Sequence, residues 1–127
     1  MRKPLVSNVP IPGSQGAKSV AYQAWIMEYQ YQAVTEAWGS SNIGWPEWTA
    51  NALSRLYDAE KETPGTIKLL LSSWPRGRKG KKRLSFRLSP ETLSHYQKLA
   101  TDNNGTIQGL LAHGLYIEAM ASGTGRS

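Results

Sequence analysis

Hydrophobic and polar positions change their period several times along this chain, and the clearest pattern lies towards its C-terminus. Leu84, Phe86 and Leu88 alternate with Ser85 and Arg87. A period of two predicts a half-buried strand with one apolar and one polar face. Ser89-Pro90 then places a capping hydroxyl before a proline at the first helical position, where the missing N–H costs nothing. Leu93, Tyr96, Leu99 and Ala100 recur at helical spacing after it. Asn103-Asn104-Gly105 is a stop signal, because both residue types tolerate a left-handed backbone. Thr106 can cap a second helix, with Ile107, Leu110, Leu111, Gly114, Leu115 and Glu118 on one side. All of these except Glu118 suit a core.

The N-terminal half carries a different pattern. Residues 1–16 are rich in Pro, Gly, Ser and Asn without a period, and read as a flexible tail. Val20, Ala24, Met27, Tyr31, Val34 and Trp38 step by 4, 3, 4, 3 and 4, which predicts one long helix over 17–38 with a seam for another helix. Gly39-Ser40-Ser41-Asn42 breaks it. A second helix is expected from Pro46 to Glu62, and a short third one after Thr66, through Leu69-Leu70-Leu71. Trp74-Pro75 marks a domain boundary. Pro-Glu opens a helix at both Pro46 and Pro90, and Gly-Thr-Ile recurs at Gly65 and Gly105. The two spacings differ by four residues and no basic strand precedes Pro46, so this echo reads as coincidence rather than as a second copy of one unit.

One strand and two helices cannot bury themselves, since an unpaired strand leaves its ladder bonds unmade and the core is too small. The economical solution is a two-fold dimer in which Arg83–Leu88 pairs antiparallel with its own copy. Leu84, Phe86, Leu88, Leu93, Tyr96, Leu99, Leu110, Leu111 and Leu115 would form the shared core. Arg83, Ser85 and Arg87 would face outward on a two-stranded ribbon, a shape that fits the DNA major groove, where Arg can hold guanine through two hydrogen bonds.

Charge sharpens that expectation. The net charge is +6 over 127 residues. Residues 1–75 hold six basic and six acidic side chains and residues 84–127 hold three of each, so the whole excess sits in Arg76–Arg83. A patch this concentrated points to a polyanion. Arg76, Arg78, Lys79, Lys81 and Lys82 are therefore expected to engage phosphates, from a basic arm spanning 76–83. The five tryptophans, all between Trp25 and Trp74, read as the aromatic part of a small helical core over 17–75, or as a docking surface for a protein partner.

Other chemistry finds little support. The chain has no cysteine, which excludes disulfides and thiolate metal sites and fits a cytoplasmic protein. No apolar run reaches membrane-spanning length. His95 and His113 have no partners at metal-ligand spacing, and neither a phosphate-binding loop nor a nucleophile elbow occurs. No catalytic residue, metal or cofactor is expected.

The segment KKRLSFRLSPETLSHYQKLA, with NGTIQGLLAHGL after it, resembles the ribbon-helix-helix DNA-binding family, especially its CopG-like plasmid repressors. The likeness spans Lys81 to about Ala121. It implies base reading by Arg83, Ser85 and Arg87, and a phosphate held at the start of the second helix by Thr106, Ile107 and Gln108. Ile107 stands where a polar residue is common in the family, so backbone N–H groups must carry more of that contact. The resemblance further implies transcriptional repression, often autoregulatory and plasmid- or phage-borne in bacteria.

The expected architecture is mostly α: a Trp-rich helical region, the basic arm, a ribbon-helix-helix domain over 84–121 forming an intertwined homodimer, and a disordered tail from 122 to 127. The expected function is sequence-specific binding of double-stranded DNA as a repressor. The alternatives are a DNA-recognition accessory in plasmid conjugation or partition, and an adaptor holding nucleic acid non-specifically through its basic run and a protein through its N-terminal region.

Overall fold

The computed structural model of the protein describes residues 19–126, so the expected tail over 1–16 lies outside the described residues. The elements run β1 (Val20–Met27), α1 (Glu28–Gly39), α2 (Trp45–Glu62), α3 (Thr66–Ser72), β2 (Lys81–Leu88), α4 (Pro90–Asp102) and α5 (Ile107–Arg126).

The ribbon forms within one chain. β1 pairs antiparallel with β2, from Val20 opposite Leu88 to Met27 opposite Lys81. This overturns two expectations together. Residues 20–27 are a strand and not the first turns of a helix, and β2 takes its ladder from β1 and not from a second copy. The intertwined homodimer is thereby ruled out as the architecture. The physical reason lies in the segment VAYQAWIM, whose apolar positions satisfy two periods. Val20, Ala24 and Met27 step as on a helix, while Val20, Tyr22, Ala24 and Ile26 alternate as on a strand. Ambiguity of this kind is settled by tertiary partners. Here the partner is β2, whose backbone would otherwise present an open edge.

Inward from the ribbon, Ala24, Ile26, Leu84, Phe86 and Leu88 are buried. Tyr22 stands opposite Phe86, with ring centroids 6.0 Å apart. α1, α2 and α5 cover this face, and each strand is followed by two helices, giving two strand–helix–helix runs, β1-α1-α2 and β2-α4-α5, with α3 between them. Their second helices, α2 and α5, pack against each other. The same order of elements thus occurs twice, though not in the register of the sequence echo. Pro46 opens the second helix of one unit and Pro90 the first helix of the other.

Local chemistry explains the helix ends. Gln30 accepts a hydrogen bond from the Met27 N–H at 3.0 Å, closing the start of α1. Glu60 accepts from the Gly65 and Ile67 N–H groups at 2.9 and 3.0 Å, and these two bonds hold its carboxyl below the usual carboxylate range. Ser89 caps α4 by accepting from the Thr92 N–H, and Thr106 caps α5 by accepting from the Gly109 N–H. In the turn between α4 and α5, Asn104 takes the left-handed conformation at φ 60°. Gly105 is needed for space instead: a Cβ there would lie 2.7 Å from the Leu71 Cβ.

One core serves both units. Tyr96, Leu110, Leu111 and Leu115 are buried with Val34, Trp48, Leu56 and Ile67, while Leu93 and Leu99 are half-buried against them. The layer facing the expected dimer core is thus the N-terminal half of the same chain. Glu118, expected off the core, is buried and pairs with Arg55 of α2. α5 continues past Ala121 to Arg126, across most of the expected disordered tail.

Candidate nucleic-acid interface

The outward face of the ribbon carries four cross-strand pairs: Met27 with Lys81, both half-buried beside the arm, and then the three that would read bases, Ala21 with Arg87, Gln23 with Ser85, and Trp25 with Arg83. Pleating puts them there, because every second residue of each strand points away from the helices. In these last three pairs all are exposed except Trp25, which is half-buried. The Arg83 guanidinium makes no hydrogen bond or ion pair with the described residues. Arg87 is committed in part. Its Nε donates to the Ser19 hydroxyl and its Nη2 to the Ser19 carbonyl, both at 2.7 Å.

The basic run is a shaped arm and not a loose linker. Gly77 and Gly80 hold left-handed φ values of 80° and 76°, and the Lys81 N–H donates to the Arg78 carbonyl, closing a turn. Three of its cations lie over aromatic rings. Arg78 sits 4.5 Å from the Trp25 ring centroid, Lys81 4.4 Å from that of Trp74, and Lys82 5.1 Å from that of Tyr31. Lys81 also donates to the Pro75 carbonyl, and burial lowers its pKa. Arg76 and Lys79 are exposed and unpaired among the described residues. Lys81, Lys82 and Arg83 belong to β2 itself, so the arm proper ends at Gly80.

At the start of α5, Gln108 has an unexpected role. Its Oε1 accepts from the Trp25 N–H at 2.7 Å and its Nε2 donates to the Gln23 carbonyl at 3.0 Å. The side-chain amide thereby satisfies the open edge of β1 like a short length of strand. Gln108 is left with its backbone N–H for a phosphate, as is Ile107, whose side chain packs on the core. The Thr106 hydroxyl is occupied by its cap.

Between β1, the arm and the start of α5 lies a cleft of about 800 Å³. Trp25, Trp74, Arg76, Arg78, Lys81 and Gln108 are among its walls. Behind it, Trp74 packs edge-on against His113, with centroids 5.2 Å apart. Burial pushes the His113 imidazole below its usual value, and a hydrogen bond with the Leu70 backbone pulls the other way. Among the described residues no group of three or more His, Asp and Glu side chains could hold a metal ion, and no helix is long and apolar enough to cross a membrane.

The ribbon face and the arm thus bring Arg83, Ser85 and Arg87 together with Arg76, Arg78, Lys79 and Lys81 on the outward side of the ribbon and its adjoining edge, whereas Lys82, opposite the buried Ile26, turns to the helix side and lies over Tyr31 of α1. Sequence reasoning missed Gln23, Trp25 and Trp74. The signal for the first two was the alternation of β1, and for Trp74 its position just before the cations. Compared with protein-family models, with curated proteins and with solved structures, the chain matches none.

Proposed function

We propose that this protein binds double-stranded DNA by laying the outward face of its ribbon in the major groove, in the manner of the ribbon-helix-helix family. One observation carries the reading: six side chains stand in register on a solvent-facing two-stranded ribbon, beside the patch that holds the chain's whole excess of positive charge. A ribbon of this width enters the major groove, and Arg83 has the geometry to hold guanine. Arg76 and Lys79 contribute attraction to phosphates that is independent of sequence. Repression of transcription is the role that best fits such a contact, and recognition in conjugation or partition would use the same face.

The two strands differ in every outward pair, so the preferred sequence has no palindromic symmetry. β2 offers Arg83, Ser85 and Arg87, while β1 offers Ala21, Gln23 and Trp25. Selection of duplexes from a random pool, with wild type beside Arg83→Ala, tests this directly. A short non-palindromic motif that loses one guanine preference in the variant is the expected result. Binding without an enriched motif, abolished by salt, would leave only charge attraction and refute base reading.

A further inference from the structure

The cleft between β1 and the arm has a composition that duplex reading accounts for only in part. It contributes two indoles and three cations, with no carboxylate among its walls. Arg76, Arg78 and Lys81 have no ion-pair partner among the described residues. Gathering like charges without a counter-ion is unfavourable, and it becomes favourable only when an anion is taken up. Arg78 and Lys81 each lie over a face of Trp25 and Trp74 respectively, and the planar guanidinium over Trp25 is a surface on which a flat π-system can stack. The left-handed Gly77 and Gly80 shape the arm that brings Arg78 onto Trp25. At about 800 Å³ the cleft lies within the range of roughly 300–1,000 Å³ typical of small-ligand sites.

We propose that this cleft binds a nucleotide outside a duplex, with its base stacked on the aromatic and guanidinium faces around Trp25 and its phosphate held by Arg76 and Lys81. A base inside a duplex presents only its edge, so a concave, aromatic-lined cleft selects a nucleotide that is free or unpaired. The site borders the ribbon face and shares Gln23 and Trp25 with it, but Arg83 and Arg87 are not among its walls, and it does not depend on the reading of duplex DNA.

The test is a titration of the full chain followed by the indole N–H resonances of Trp25 and Trp74. The probes are adenosine monophosphate, inorganic phosphate, a short oligothymidylate and a blunt duplex. Saturable binding of the mononucleotide or the oligothymidylate, shifting both indoles, is expected. Tighter binding of the mononucleotide identifies a free nucleotide as ligand; tighter binding of the oligothymidylate identifies an unpaired one in a strand. Trp25→Ala and Arg78→Ala should each weaken binding about tenfold, as loss of a stacking partner does, and Arg87→Ala should leave it unchanged. If Trp25→Ala fails to fold, the exposed Arg78 decides the matter alone. The proposal is overturned if neither nucleotide probe saturates, if phosphate binds as tightly as the mononucleotide, or if folded Arg78→Ala binds like wild type.

Discussion

The hydroxyl of Tyr96 donates to the carbonyl of Thr49 at 2.8 Å, in surroundings from which water is excluded. Burial, with Glu118 and Tyr57 nearby, pushes the phenol's pKa so high that it remains a donor at every ordinary pH. The bond ties α4 of the second unit to α2 of the first. Tyr96→Phe removes this bond while the Thr49 carbonyl, inside α2, keeps its helical partner, and should cost about 0.5–1.5 kcal/mol in urea unfolding. All five tryptophans lie at or before Trp74. Their fluorescence should therefore lose stability in step with helical circular dichroism. A variant whose tryptophan transition stays in place would show that the two halves do not share a core.

Gly105 allows the turn between α4 and α5 to lie directly on Leu71 of α3. Gly105→Ala should destabilise the fold by about 1–3 kcal/mol through overpacking. Leu71→Ala has its own cost, since Leu71 is buried, but the double variant should lose less than the sum of the two single losses, because the clash is with this one side chain. Losses that simply add would mean that α3 does not pack there.

His113 makes stability depend on pH. Its folded-state pKa is depressed, chiefly by burial, so the unfolded chain binds a proton at a higher pH than the folded one. Stability is therefore full above the ordinary imidazole value of about 6.5 and falls as pH drops from there through the depressed folded value. Denaturation at about pH 7 and about pH 5 should reveal the loss, and His113→Phe should reduce it. An equal loss in wild type and variant would place the proton elsewhere.

Arg83 and Arg87 should differ on DNA although both point outward. Arg83→Ala should cost about 1–3 kcal/mol on the preferred duplex, measured by titration. Arg87 must first release Ser19, so Arg87→Ala should cost less. Arg76→Ala with Lys79→Ala should weaken binding to all duplexes and flatten the salt dependence by about 0.9 per lost phosphate contact. An unchanged salt slope would show both cations idle.

Much of this arrangement was legible in the residues. The alternation from Leu84 to Leu88, the Ser89 cap and the Thr106 cap are local signals with local causes, and each formed where its chemistry predicted. The expected α2 and α3 likewise follow from local stops at Gly39 and Gly65. β1 was not legible, because VAYQAWIM is consistent with either period and only β2, some sixty residues away, decides between them. The same distance hid the cleft. Trp25 meets Arg78, and Gln108 meets the edge of β1, only after the ribbon has closed. Placing Arg83 outward needed only the strand's period. Recognising that Arg87 leans on Ser19 needed the partner strand as well.

Because both strands of the ribbon belong to one chain, its pairing is first order in protein. A reader assembled from two separate molecules comes apart on dilution, and its melting temperature falls with concentration. Here the second strand is always present at the effective concentration set by the intervening chain, however few copies a cell holds. Thermal unfolding should therefore give the same midpoint over a hundredfold range of protein concentration, about what a covalently joined pair predicts.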